Sequence, residues 1–180
     1  MAALTLIGPS GDTATVENGA VAVRVESDFE YAVRNGNAYS WSCLTYDYTA
    51  INTILAVENN SPTMDLHIQE IHIQGDTASQ FIVHTDAGLT VTGGNVVTGV
   101  NLNRNSGNNA AATSVDCDTG NTGSTGYAKR LITGLVAADG NVVLTLNGCI
   151  VLPNDHTICV DLTDEGGACN CTIIGYYKTR

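Results

Sequence analysis

Met64-Asp-Leu-His-Ile-Gln-Glu-Ile-His-Ile73 is the stretch that decides how this chain folds. Leu66 and Ile68 occupy one phase of a period-2 pattern, and Ile71 and Ile73 occupy the other. Side chains of a strand alternate between its faces, so a regular strand cannot bury both pairs on one side. One extra residue near Gln69-Glu70, a β-bulge, restores the register and puts all four aliphatic residues on one face.

Short extended segments with turn signals between them run along the rest of the chain. Residues 20–26 alternate Val21, Val23 and Val25 against Ala22, Arg24 and Glu26. Strands are also predicted at 3–7, 29–33, 39–48, 51–57, 80–84, 89–92 and 96–102. Further ones follow at 131–136, 142–152, 157–162 and 171–177. Asn35-Gly36-Asn37, Asn59-Asn60-Ser61-Pro62 and Gly93-Gly94-Asn95 are turn sequences. Only residues 128–138 could pass for a helix, and Gly134 in the middle argues against one. Many short strands at roughly ten-residue spacing predict an all-β fold, a sandwich or barrel. Residues 1–19 read as an N-terminal arm or short opening strands, and 20–180 as a single β-sandwich domain. Residues 103–126, rich in Asn, Gly, Ser and Thr, read as a long exposed loop with room for a short strand at 111–115.

Composition agrees with this reading. The 180 residues suffice for one buried core. Thr (22), Asn (17) and Gly (19) supply about a third of the chain, a mixture that suits strands and turns better than solvated helices. Charged residues are scarce at 14%, and acids outnumber bases 18 to 7, for a net charge of −11. Nucleic-acid binding needs clustered cations, and Lys129-Arg130 is the only adjacent pair, so no nucleic-acid partner is expected. No apolar run approaches the roughly 20 residues of a membrane-spanning helix, so no membrane partner is expected. Met1-Ala-Ala-Leu-Thr-Leu-Ile-Gly-Pro9 lacks the basic and long apolar regions of a secretion signal, which predicts synthesis in a cytoplasm.

The residues that usually carry chemistry are scattered. His67 and His72 straddle the bulge and could reach one face, where Asp65 or Glu70 would complete a metal site; a solvated strand face is the plainer reading. Asp116-Cys-Asp118-Thr-Gly-Asn121 resembles a calcium loop but has Gly120 at the fifth position and Tyr127 at the twelfth. Asp161, Asp164 and Glu165 near a loop could hold calcium, with a solvated turn beside Gly166-Gly167 as the plainer reading. His156 lies three residues from Cys159, an odd offset that puts them on opposite faces of a strand. Tyr39 and Trp41 share one strand face and form a candidate sugar-stacking platform, with a role in the core as the alternative. No catalytic constellation and no cofactor motif emerges, so the expectation is a non-enzymatic protein without a cofactor or resident metal.

Six cysteines stand at 43, 117, 149, 159, 169 and 171, with no C-x-x-C spacing. Residues 143–152 and 157–162 both alternate. If Pro153-Asn154-Asp155 closes a hairpin centred on residue 154, Cys149 and Cys159 fall opposite one another, a candidate disulfide. The alternative is two unpaired thiols on a half-exposed face.

Three stretches carry a resemblance. They are Phe29-Glu-Tyr-Ala-Val-Arg-Asn-Gly-Asn-Ala-Tyr-Ser-Trp41, Ile54-Leu-Ala-Val-Glu-Asn-Asn-Ser-Pro-Thr-Met-Asp-Leu-His-Ile-Gln-Glu-Ile-His-Ile73 and Ile173-Ile-Gly-Tyr-Tyr177. In texture and order they resemble small β-sandwich structural proteins of tailed-bacteriophage virions, the capsid decoration or cement proteins. The resemblance implies a jelly-roll-like antiparallel β-sandwich that forms a homo-oligomer, often a trimer. It further implies that the major capsid protein is the partner and that the chain sits on the outer capsid surface of the virion. A β-sandwich module that binds carbohydrate or a receptor, as part of a tail or fibre, is the alternative expectation.

Overall fold

The computed structural model describes residues 6–7, 13–17, 20–23, 26–48, 52–87, 95–116, 129–164 and 166–180. For residues 6–7, 13–17, 20–23, 44–48, 52, 115–116 and 166–167 it describes the backbone only. Strands β1 (Leu6–Ile7), β2 (Thr13–Glu17) and β3 (Ala20–Val23) form a small antiparallel sheet of their own. The segment expected to open the sandwich, Ala20–Val23, therefore pairs with β2.

Ten further strands make two five-stranded antiparallel sheets packed face to face. They are β4 (Ala38–Tyr48), β5 (Asn52–Asn59), β6 (Met64–Gly75), β7 (Ser79–Ala87), β8 (Val100–Asn101), β9 (Ala112–Asp116), β10 (Arg130–Val136), β11 (Gly140–Leu152), β12 (His156–Leu162) and β13 (Gly166–Thr179). One sheet runs β11-β6-β13-β4-β8 and the other β10-β7-β12-β5-β9. The last strand of the chain lies beside the first long one, and β12 beside β5. This is the eight-stranded double-sheet jelly roll, with β8 and β9 added at one edge of each sheet. The all-β, jelly-roll-like antiparallel sandwich expected from the sequence is the observed fold.

The strand read first explains why the sheets close on each other. Along β6, Leu66, Ile68, Ile71 and Ile73 are all fully buried. The ladder to β13 pairs Glu70 with Ile174 and then Ile68 with Gly175, so Gln69 is the extra residue and the predicted bulge is present. The core adds Trp41, Ile54, Leu55, Val57, Phe81, Val83, Leu152, Ile158, Val160, Leu162 and Ile173. Each such aliphatic side chain contributes about 1.5–3 kcal/mol by leaving water.

Two local expectations change. Residues 29–33, expected as strand, form the helix α1 (Asp28–Arg34). Ser27 and Glu30 make a reciprocal capping box, Asp28 and Glu30 lie in the first turn and Arg34 in the last, where each favours the helix dipole. The spacing Ser27-x-x-Glu30 carries that signal, but the period-2 placement of Phe29, Tyr31 and Val33 mimics a strand. The helix lies on the outer face of its sheet, where Ala32 packs with Ala38 and Tyr176, flanked by Phe29, Val33 and Leu102.

Second, residues 96–102 contribute only the two-residue strand β8, while the expected strand at 89–92 lies outside the described residues. The described part of the 103–126 loop is tied down. Gly36 O accepts from Asn101 Nδ2 at 2.8 Å, Asn108 Nδ2 at 3.2 Å and Tyr39 Oη at 3.1 Å. Asn103 Nδ2 donates to Arg34 O at 2.9 Å, at the end of α1. Strand β9, foreseen at 111–115, pairs with β5.

Candidate functional site

Tyr39 and Trp41 project from the inner face of β4 and are 2% and 0% exposed. Tyr39 packs between Trp41 and Tyr177, with ring centroids 6.0 and 5.8 Å away. A Cβ on Gly99 would come within 2.5 Å of Trp41 Nε1, so a loop backbone covers the indole. The sugar-platform expectation is thus corrected: alternation put the two rings on one face, and that face is the core. Trp41 Nε1 and Tyr177 Oη are buried without a hydrogen-bond partner among the described residues, at about 1–3 kcal/mol each.

His67 and His72 do share the outer face of β6, as the bulge requires, but they face different partners. His67 stacks on Tyr176, centroids 5.1 Å apart, with Nδ1 3.2 Å from Gly148 O. His72 Nε2 lies 3.0 Å from Glu70 Oε2, while Asp65 takes Arg180 Nε at 2.6 Å. Among the described residues no three His, Cys, Asp or Glu side chains gather around a point that could hold a metal.

Cys149 and Cys159 do not pair. The turn at Asn154-Asp155 forms, with Asp155 at φ 59°, but it carries the chain from one sheet to the other. Among the described residues strand β11 pairs only with β6, whereas Cys159 in β12 stands between Ala56 and His84. Cys149 is exposed, Cys159 is buried, and neither is bridged. Local alternation could not show that the two strands belong to different sheets. Cys43, Cys169 and Cys171 all face the core, with Cys43 Sγ donating to Ile54 O at 3.2 Å. Burial, then the neighbouring Cys43 and Cys169, holds the Cys171 thiol well above the ordinary thiol range. Cys117 lies outside the described residues, as does most of the calcium-like run from 116 to 121.

The sequence reading missed a buried polar group on the outer face of the other sheet. Asp161 Oδ1 accepts from Thr53 Oγ1 at 2.8 Å, and Asp161 Oδ2 lies 2.8 Å from His84 Nε2. Cys159 stands directly across from His84. These are the residue types of a Cys-His-Asp nucleophile, but the thiol is fully buried. Burial first, then the Asp161 and Asp86 carboxylates, pushes its pKa far above the ordinary thiol value, so it stays protonated and unreactive. The geometry fits a structural clasp joining β5, β7 and β12. Only the need for partners was legible, from a lone acid in the apolar run Ile158-Cys-Val-Asp-Leu162, and not which residues would meet it. Asp161 therefore has no part in a calcium site with Asp164, whose carboxylate accepts from Thr163 Oγ1 and the Gln80 amide instead. Glu165 lies outside the described residues.

What remains at the surface is the rim of the sandwich. On one flank the edge strands are β10 and β11, seven and thirteen residues long, each paired on one side only among the described residues. On the other flank they are β8 and β9, two and five residues long, backed by the asparagine network. A cleft between α1 and the end of β13 is lined by Asp28, Tyr31, Asn37, Met64 and Lys178, and an Asp28–Lys178 ion pair at 2.7 Å stands at it. Comparisons of the chain with protein-family models, with curated proteins and with solved structures each return no match.

Proposed function

We propose that this chain is a non-enzymatic structural protein of a tailed-bacteriophage virion, a capsid decoration protein that binds the outer surface of the shell and stabilises it. The observation that carries the reading is where the resembling segments fall in the jelly roll. Residues 29–41, 54–73 and 173–177 become α1 with the start of β4, β5 with β6, and the centre of β13. Strands β6, β13 and β4 are consecutive neighbours in one sheet. The resemblance thus gathers on three adjacent strands of one sheet, with β5 in the facing sheet and α1 on the outer face, which supports reading it as one structural unit.

The chemistry required of such a protein is modest. A ligand that binds the assembled shell and not its dissociated subunits stabilises the shell by RT ln(1 + [L]/Kd). A homotrimer with three linked contact points gains avidity over a single copy. The charge of −11 keeps copies soluble at the high local density of a shell surface. The proposed partner is the major capsid protein.

Co-sedimentation with capsids of the phage that encodes the chain, stripped of surface proteins, tests the reading. Saturable binding at a fixed ratio to capsid subunits, with a higher melting temperature of the shell, is the expected result. Capsids that pellet without the chain at every ratio would overturn it.

A further inference from the structure

We infer that the flank formed by β10 and β11 is where a second copy of this chain docks. Natural sandwiches blunt their open edges with short strands, inward or edge charges, or a covering segment, because an unpaired edge invites another strand. This flank does little of that. Its strands are long, and of the 24 residues from 131 to 154 only Asp139 is charged, in a chain holding seven basic and 18 acidic residues.

Apolar side chains wrap around the flank. Leu135 is 77% and Leu131 49% exposed on the outer side of β10. Val143 and Val151 are 47% and 43% exposed on the outer side of β11. Between them Ile132, Leu144 and Ile150 point toward the core yet are only partly buried, at the mouth between the sheets. Single exposed apolar residues are ordinary, but several exposed and half-buried ones collected on two neighbouring open edges mark an association surface. Strand β11 is interrupted at Asn147 and Gly148, both at positive φ, which leaves Gly140–Thr145 as the straight stretch for added pairing.

Charge selects the occupant. Two copies each at −11 repel wherever their acids face one another, and like-charge contact costs several kcal/mol. On this flank that cost nearly vanishes. A copy of the chain also brings what the flank needs: an uncharged apolar band and an unpaired strand edge. A basic partner would gain little from a surface whose only acid in residues 131–154 is Asp139. The inference rests on the proposed reading for its expectation that copies associate, and on the edges and charge for the surface they use.

Light scattering on a size-exclusion column, at several concentrations, tests it with the full chain and three variants. The wild type is expected to run as a dimer or trimer. Leu135→Lys and Val143→Lys are each expected to weaken association about tenfold or more while leaving the melting curve of the monomer in place. Val96→Lys, at the 82% exposed residue of the opposite flank, should leave association unchanged. A wild type that is monomeric at its highest soluble concentration would overturn the inference, as would oligomers that survive both flank variants or dissolve with Val96→Lys. Amide exchange in residues 141–145 that slows with concentration is a second expected result, and exchange independent of concentration counts against it. Capsid co-sedimentation of the same variants separates the two ideas. A chain that binds capsids but never self-associates sinks the flank and spares the function, and the reverse outcome does the opposite.

Discussion

The two rims of the sandwich solve the same problem in opposite ways. At the β8–β9 rim the edge strands are two and five residues long, and amide side chains bind the adjoining loop to the helix end through Gly36 O and Arg34 O. At the β10–β11 rim the edges run seven and thirteen residues, with Leu131, Leu135, Val143 and Val151 exposed and one charged residue among the 24 from 131 to 154. Both rims belong to the same two sheets, so the difference lies in the length of the edge strands and in their side chains. A closed edge ends the fold, and an open one leaves it able to continue into another molecule.

The largest expected effect comes from the centre, where both rims are anchored. Asp161→Ala would leave His84 and Thr53 buried without their carboxylate and cost about 3–5 kcal/mol in chemical denaturation. Because β12 lies between the rims, amide exchange should quicken at both alike, and a loss confined to one rim would break the comparison.

Gly36→Ala should discriminate between them. Gly36 sits at φ 71°, and a Cβ there would run into the Ser106 side chain. The expected loss is about 1–3 kcal/mol, with faster exchange over residues 100–108 and none over 141–145. Equal loosening of both rims would show that the asparagine network is not local to its edge.

Acid should act on the other rim. Hydrogen bonds from Thr163 Oγ1 and then from the Gln80 amide hold the Asp164 carboxyl below the ordinary carboxylate range. Gln80 in turn pairs with Leu135 of β10. A lowered folded-state pKa stabilises above the unfolded value and is lost as pH falls through the folded one. Exchange at Gln80 should therefore quicken below about pH 4, and Asp164→Asn should flatten that response. A pH-independent Gln80 amide would contradict the assignment.

How much of this could be read from residues alone depended on whether the signal was local. The bulge at Gln69 was legible because four aliphatic residues change phase within one strand. The capping box at Ser27 and Glu30 was equally local, but the alternation of Phe29, Tyr31 and Val33 outweighed it. Pairing was not legible: Cys149 and Cys159 alternate well, yet their strands part into different sheets. Nor does period 2 say which face is the core, so Tyr39 and Trp41 shared a face without declaring it buried. The Thr53–Asp161–His84 clasp joins residues 108 positions apart at its widest, beyond any motif spacing.

The smallest effect expected on stability is also informative. Leu135→Lys should change unfolding free energy by no more than about 0.5 kcal/mol, since the side chain is mostly solvated. A larger loss in the isolated monomer would mean that Leu135 serves the core and not the surface.

The most direct measurement is an image of surface-stripped capsids of the encoding phage after incubation with the chain, by electron cryomicroscopy. The account predicts ordered density on the outer shell, with neighbouring copies touching through β10 and β11 and the β8–β9 rim turned away. Bare shells, or copies that meet through the β8–β9 rim, would contradict it.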